Sequence, residues 1–253
     1  MLNKLLFPIL FVSVLGACSS KRDQLVHQPM DERGTVQYQF AYDFFQNGDM
    51  VRALASALTA VELAPQDADV RNILGLIYFR RGEMEAAEKE FLLAAQLNPR
   101  MSEVHNNLGS LYYDLGRHEE ALVALDKALL NPLYLNPERV HNNRGLVFEA
   151  LGQKDQARAE YERAIFLRRN YYLPYQNLGK LFLSEANHES AREALQEAVR
   201  LCGECVEPRY YLGKALLESN LQAEATKIFK EGHELNPRSY YGQLCLDYLE
   251  QQN

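Results

Sequence analysis

The chain predicts an all-α superhelical solenoid: six helix-turn-helix repeats stacked in order and closed by a C-terminal capping helix. Three observations carry that expectation. Alanine recurs at Ala53, Ala87, Ala121, Ala157, Ala191 and Ala225, in steps of 34 residues with one step of 36. Glycine keeps the same beat at Gly48, Gly82, Gly116 and Gly152, where a first helix must stop and a left-handed residue costs least. Asn-Pro pairs at 98–99, 136–137 and 236–237 fall where second helices should end, because proline cannot extend a helix and its predecessor avoids helical backbone.

The first residues stand apart from this beat. Lys4 supplies a positive n-region, and Leu5 to Leu15 is apolar apart from Pro8 and Ser13. The stretch is too short for an ordinary membrane-spanning helix and reads as a signal peptide at 1–17. Leu15-Gly16-Ala17-Cys18 resembles the lipobox of bacterial lipoproteins. The resemblance implies cleavage before Cys18, acylation of that residue and attachment to a membrane; Ser19, in place of Asp, implies sorting to the outer membrane. An ordinary cleaved signal and a free periplasmic product is the plainer alternative. Residues 18–33 then form a polar tether.

Each repeat follows in register at 34–67, 68–101, 102–137, 138–171, 172–205 and 206–239. The second is the clearest: Leu74, Gly75, Tyr78, Ala87, Phe91, Ala94 and Pro99 stand at its positions 7, 8, 11, 20, 24, 27 and 32. This resembles the tetratricopeptide pattern, in which small residues at 8 and 20 let two antiparallel helices cross closely and large ones fill the space between them. The third repeat supplies Leu108, Gly109, Tyr112, Ala121, Leu125 and Ala128. In the fourth, Gly145, Phe148, Ala157, Tyr161 and Ala164 hold the pattern although Arg144 replaces the usual leucine. The fifth has Leu178, Gly179, Phe182, Ala191, Leu195 and Ala198, and the sixth Leu212, Gly213, Leu216, Ala225, Phe229 and Gly232. The first is weakest, with Ala41, Ala53, Ala57 and Ala60 at the small and large places alike. Asn131 to Pro137 accounts for the longer step, as a solvent loop or a contact loop. Residues 240–253 hold one more helical pattern without a mate, whose Leu244 and Leu249 would cover the last repeat.

First helices of such repeats line a concave face through positions 2, 5, 9, 12 and 13. That places Tyr38, Tyr42 and Phe45 in a candidate protein-binding groove, followed by Asn72, Leu76 and Phe79. Asn106 and Tyr113, then Asn142 and Leu146, Gln176 and Lys180, and Tyr210 and Lys214 continue it. Amides can satisfy an extended peptide, and rings supply contact area. The plainer reading of Asn107, Asn143 and Asn177 is structural hydrogen bonding, and the rings of repeat one would serve equally as a seat for the tether. Lys180 and Lys214 come nearest to a carboxylate clamp, but Glu149 and Glu218 oppose it.

Other chemistry finds little support. The net charge is −7 with both signs interspersed and no basic block, which argues against a nucleic-acid partner. Cys202 and Cys205 suit a local disulfide in an oxidising periplasm; pairing of either with Cys245, or two free thiols, are the alternatives. Zinc would need two more placed ligands. His105 and His141 stand at packing positions. No Walker, zinc-protease, nucleophile-elbow or dinucleotide motif is present, so no catalytic residue, metal, cofactor or small-molecule substrate is expected.

Lipobox, short tether, six repeats and terminal cap together resemble the type IV pilus pilotin family of outer-membrane lipoproteins. The resemblance implies a lipid-anchored, periplasm-facing protein that binds the outer-membrane secretin and promotes its assembly, supporting pilus extrusion and motility. The alternative is a general tetratricopeptide adaptor lipoprotein for another envelope assembly or secretion machine.

Overall fold

A computed structural model describes residues 30–251. The signal sequence, Cys18 and the tether as far as residue 29 lie outside the described residues. Thirteen helices follow one another among the described residues, with no strand: α1 (Glu32–Gln46), α2 (Met50–Leu63), α3 (Ala68–Arg80), α4 (Met84–Leu97), α5 (Ser102–Asp114), α6 (His118–Ala128), α7 (Pro137–Ala150), α8 (Lys154–Leu167), α9 (Tyr172–Ser184), α10 (His188–Leu201), α11 (Val206–Glu218), α12 (Gln222–Leu235) and α13 (Tyr240–Glu250). The predicted all-α solenoid of helical hairpins with a terminal cap is what the chain forms.

The contacts set the curvature. Each odd-numbered helix packs on the next odd-numbered one, whereas an even-numbered helix touches only its hairpin partner and the helix that follows. First helices therefore form a continuous inner wall and second helices an outer, splayed layer. Helix α13 packs on both α11 and α12, where the first helix of a seventh hairpin would lie. Cys245, Tyr248 and Leu249 make that closure, with the Tyr248 ring 4.3 Å from Phe229.

All six beat alanines are fully buried, as are the position-27 alanines Ala60, Ala94, Ala128, Ala164 and Ala198. The small residue at position 8 acts differently from the expected close approach of backbones. A Cβ on Gly75 would fall 2.6 Å from the Phe91 ring, one on Gly109 2.5 Å from Leu125, and one on Gly213 2.5 Å from Phe229. The glycine opens a slot for the large side chain sixteen residues later. In the first hairpin Ala41 faces no ring because that later position is Ala57, so a methyl fits.

Hairpin turns use left-handed backbone at one fixed place. Gly48, Gly82, Gly116 and Gly152 have φ between 71° and 79°. Around Gly48, the amides of Gly48 and Asp49 reach back to the carbonyls of Phe45 and Phe44, which satisfies the open end of α1. Ala186 (φ 54°) and Asn220 (φ 60°) take the same conformation in the last two hairpins without glycine's freedom.

One expectation about connections changes, and one apparent break in the packing pattern is accounted for. Asn136-Pro137 does not end a second helix: α6 stops at Ala128, and Pro137 is the first residue of α7, where its missing N–H is no loss. Arg144, at a place that should be apolar, is accommodated because its guanidinium bonds Glu160 at 2.9 Å, also pairs with Asp126, and stands 5.6 Å over the Phe148 ring. His141 Nδ1 shares the same carboxylate at 2.7 Å. His105 is buried and bonds the Pro99 carbonyl at 2.9 Å, a packing role.

Candidate protein-binding groove

The inner wall is stitched by carboxamides. Asn107 Nδ2 donates to Asn72 Oδ1 at 2.9 Å, Asn143 to Asn106 at 3.0 Å, and Asn177 to Asn142 at 3.0 Å. Each bond joins position 6 of one first helix to position 5 of the one before. Asn72, Asn106, Asn142 and Gln176 are all buried, 2–6 % exposed. The three asparagines expected to face a partner are thus committed to holding successive hairpins in register, their Oδ1 atoms already accepting a bond. Sequence register within one repeat did not reveal this, because each bond spans about one full repeat.

What remains open on the wall is apolar, aromatic and charged. Tyr42 is exposed; Tyr38, Phe45, Leu76, Phe79, Tyr113, Leu146 and Tyr210 are half-buried. Phe45 carries the Arg80 guanidinium over its ring at 5.6 Å, which couples α1 to α3. Tyr38 and Phe45 also pack on the first hydrophobic cluster, so the candidate rings of repeat one present one face to the core and one outward. Burial, with Asp69 and Glu103 nearby, pushes the Tyr38 hydroxyl up to about 12.

Charge is distributed unevenly along the wall. Toward the middle, Glu149 accepts a 2.8 Å bond from the buried Tyr161 hydroxyl, and Tyr113 lies within its field. Asp114, though open at its surface, sits against enough protein for desolvation to raise its carboxyl. Lys180 is spanned by Glu207 at 3.3 Å and the Tyr211 ring at 5.0 Å. Lys214 stands over Tyr210 at 5.9 Å and is exposed. Tyr210, Tyr211 and Tyr241 stack edge and tilt at 5.3–5.9 Å, and Tyr241 donates to Glu207 at 3.0 Å. The carboxylates Asp114 and Glu149 thus lie toward the middle of the wall, and its C-terminal end carries the exposed Lys214 beside a tyrosine cluster in which Lys180 is paired with Glu207. Such a surface suits an extended or helical protein segment and offers no reacting pair.

Cys202 and Cys205 are joined by a disulfide in the connection before α11, and Arg209 bonds the Gly203 and Cys205 carbonyls at 2.8 Å beside it. Cys245 is a free, buried thiol whose pKa burial pushes up to about 11. No group of three or more metal-ligating side chains exists among the described residues, and none of their helices is long and apolar enough to cross a membrane.

Comparison with known proteins agrees with this architecture. One tetratricopeptide repeat model matches residues 38–102 and 177–238, a second matches 102–130 and a third 138–171. Among solved structures, pilF of Pseudomonas aeruginosa superposes with a TM-score of 0.72 at 24% identity, covering 87% of this chain and 100% of that one. PilW, described as a widely conserved type IV pilus biogenesis factor, gives 0.75 at 20% identity over 85% of this chain and 99% of its own. The Cut9–Hcn1 assembly of the APC/C gives 0.76 at 16% identity, but this chain covers only 42% of that one. No curated protein matches the sequence. Likeness at these identities is likeness of fold.

Proposed function

We propose that this chain, which belongs to the tetratricopeptide repeat family, is a lipid-anchored scaffold of type IV pilus biogenesis that captures a segment of the outer-membrane secretin on its inner wall. One observation carries the reading: pilF and the type IV pilus biogenesis factor PilW are matched over essentially their whole length, by a chain whose residues 15–18 also resemble a lipobox. Longer repeat proteins share the hairpins but only part of their extent.

The mechanism is non-covalent. Acylation at Cys18 holds the scaffold at the outer membrane, and the tether gives the groove reach. Confinement to a membrane raises the local partner concentration, so modest affinity suffices. Tyr42, Phe45, Leu76 and Phe79 supply apolar anchors, while the exposed Lys214 offers one cation at the opposite end. The buried asparagine bonds keep the wall rigid, so little ordering entropy is lost on binding.

The rival reading is an adaptor for another envelope machine, and the repeat motif by itself suits both. Crosslinked capture from intact membranes separates them. Secretin among the recovered proteins supports the pilus reading; recovery of cell-wall enzymes or barrel-assembly factors without secretin rejects it. Replacing Cys18 by Ser should abolish incorporation of labelled fatty acid into the protein, and undiminished incorporation refutes the anchor.

A further inference from the structure

The outer edge of the solenoid carries a feature that the groove does not use. Leu130, Leu133 and Leu135 are 79, 82 and 88 % exposed, all in the α6–α7 connection. Leu130 stands two residues past the buried Ala128, and Phe166 (69 % exposed) two past the buried Ala164, so they take equivalent register positions, Leu130 just beyond the end of α6 and Phe166 in the last turn of α8. Lys127 and Arg163 are equivalent in the same way, one residue before those alanines.

The charges around these apolar knobs are lopsided. Arg100, Lys127, Arg139, Arg163 and Arg169 are exposed, and none makes an ion pair with another of the described residues, although Arg163 stands 5.2 Å over the Phe166 ring. Of the neighbouring acids, Glu138 is buried against Arg168 at 2.6 Å and Asp126 is paired with Arg144, leaving Glu103 and Glu162. Beside the leucines opens a cleft of about 700 Å³, lined by Leu92, Ala95 and Pro132 with Arg100, Lys127 and one side of Leu130.

We propose that this edge is a membrane-docking surface that inserts Leu130, Leu133, Leu135 and Phe166 into an anionic phospholipid bilayer. Isolated leucines on a short connection are knobs, and a fluid acyl phase accepts knobs without needing matched holes, whereas a protein partner would have to supply them. The cationic fringe complements phosphate headgroups at the depth where such side chains leave the hydrocarbon. The overall charge of −7 makes this local excess of cations the more selective. Docking here does not depend on acylation of Cys18; with it, two contacts would fix how the inner wall faces the membrane.

The chain contains no tryptophan, so a single one is a clean reporter. L135W is the probe and V51W, at a position 75 % exposed on α2, the control. Both are made in the full chain and mixed with phosphatidylglycerol–phosphatidylethanolamine vesicles, with or without brominated acyl chains. L135W emission should move to shorter wavelength and be quenched by bromine, while V51W in the same floated fraction stays solvent-like. L130S/L133S/L135S should lower vesicle affinity at least ~10-fold in the Cys18→Ser chain, the low end of what burying even one leucine is worth. Solvent-like L135W on floated vesicles overturns the docking surface and leaves the acyl anchor standing. A blue shift that grows with protein concentration without vesicles means a second copy covers the edge, and one that needs added envelope protein means a protein contact; either overturns the proposal.

Discussion

Replacing Gly75 by alanine should destabilise the protein, although alanine is the better helix former. On an open helix the exchange would gain about 1 kcal/mol. Here the new methyl would lie 2.6 and 2.7 Å from two carbons of the Phe91 ring, which is fully buried and cannot swing out. Overpacking of this kind costs roughly 3 kcal/mol at the upper end of its range, for a net loss of about 2 kcal/mol. Phe91→Ala alone should cost about 3–5 kcal/mol. In that background Gly75→Ala meets no ring and should become stabilising by about 1 kcal/mol, reproducing the Ala41–Ala57 pair that the first hairpin already has. The coupling between the two positions is therefore about 3 kcal/mol, large for a contact pair. Denaturation of the four chains, followed by helical circular dichroism, measures it. If Gly75→Ala changes stability by the same amount in both backgrounds, the slot is not what the glycine provides.

Three further outcomes follow from the same structure. Ala186→Gly should raise stability by about 1 kcal/mol, by relieving left-handed strain at a turn where four other hairpins carry glycine, and Asn220→Gly by less, since asparagine tolerates that backbone; thermal melts decide. Burial would raise the Glu160 carboxyl, yet the His141 bond and the Arg144 charge hold it below its ordinary value, so its contribution is present at neutral pH and is lost as pH falls below about 4.5; Glu160→Gln should cost about 2 kcal/mol at pH 7 and flatten that acid limb. Apart from Cys18, the unreduced native protein should expose no thiol to an alkylating reagent, one after denaturation and three after reduction, counted by mass.

The fold was legible because packing repeats itself. The beat alanines and four turn glycines recur at fixed intervals, and each interval reports a steric need that the structure meets in the same place. Ala186 and Asn220 hide the same turn, since neither residue type announces a positive φ. The asparagine bonds were half legible: Asn107, Asn143 and Asn177 read as structural donors, but the acceptors Asn72, Asn106 and Asn142 sit one repeat earlier, beyond any within-repeat pattern. Arg144 looked like a break in the core and is matched by Glu160 across the hairpin and by Asp126 on the preceding second helix, pairs that no helical period connects. On the inner wall, the structure leaves Tyr42 exposed and Phe45 half-buried, and register could not say which neighbouring amides were already spent.

The central claim is that this wall holds a secretin segment, and site-directed crosslinking in membranes tests it most directly. A photoreactive residue at Tyr42, on the inner wall, and one at Thr59, on the outer face of α2, should give opposite results in pilus-bearing cells. Crosslinks to secretin from Tyr42 alone, with capture lost in Tyr42→Ala/Phe45→Ala while melting and helical content stay unchanged, are what the account predicts. Crosslinks from Thr59 alone, or full capture by the double variant, would contradict it.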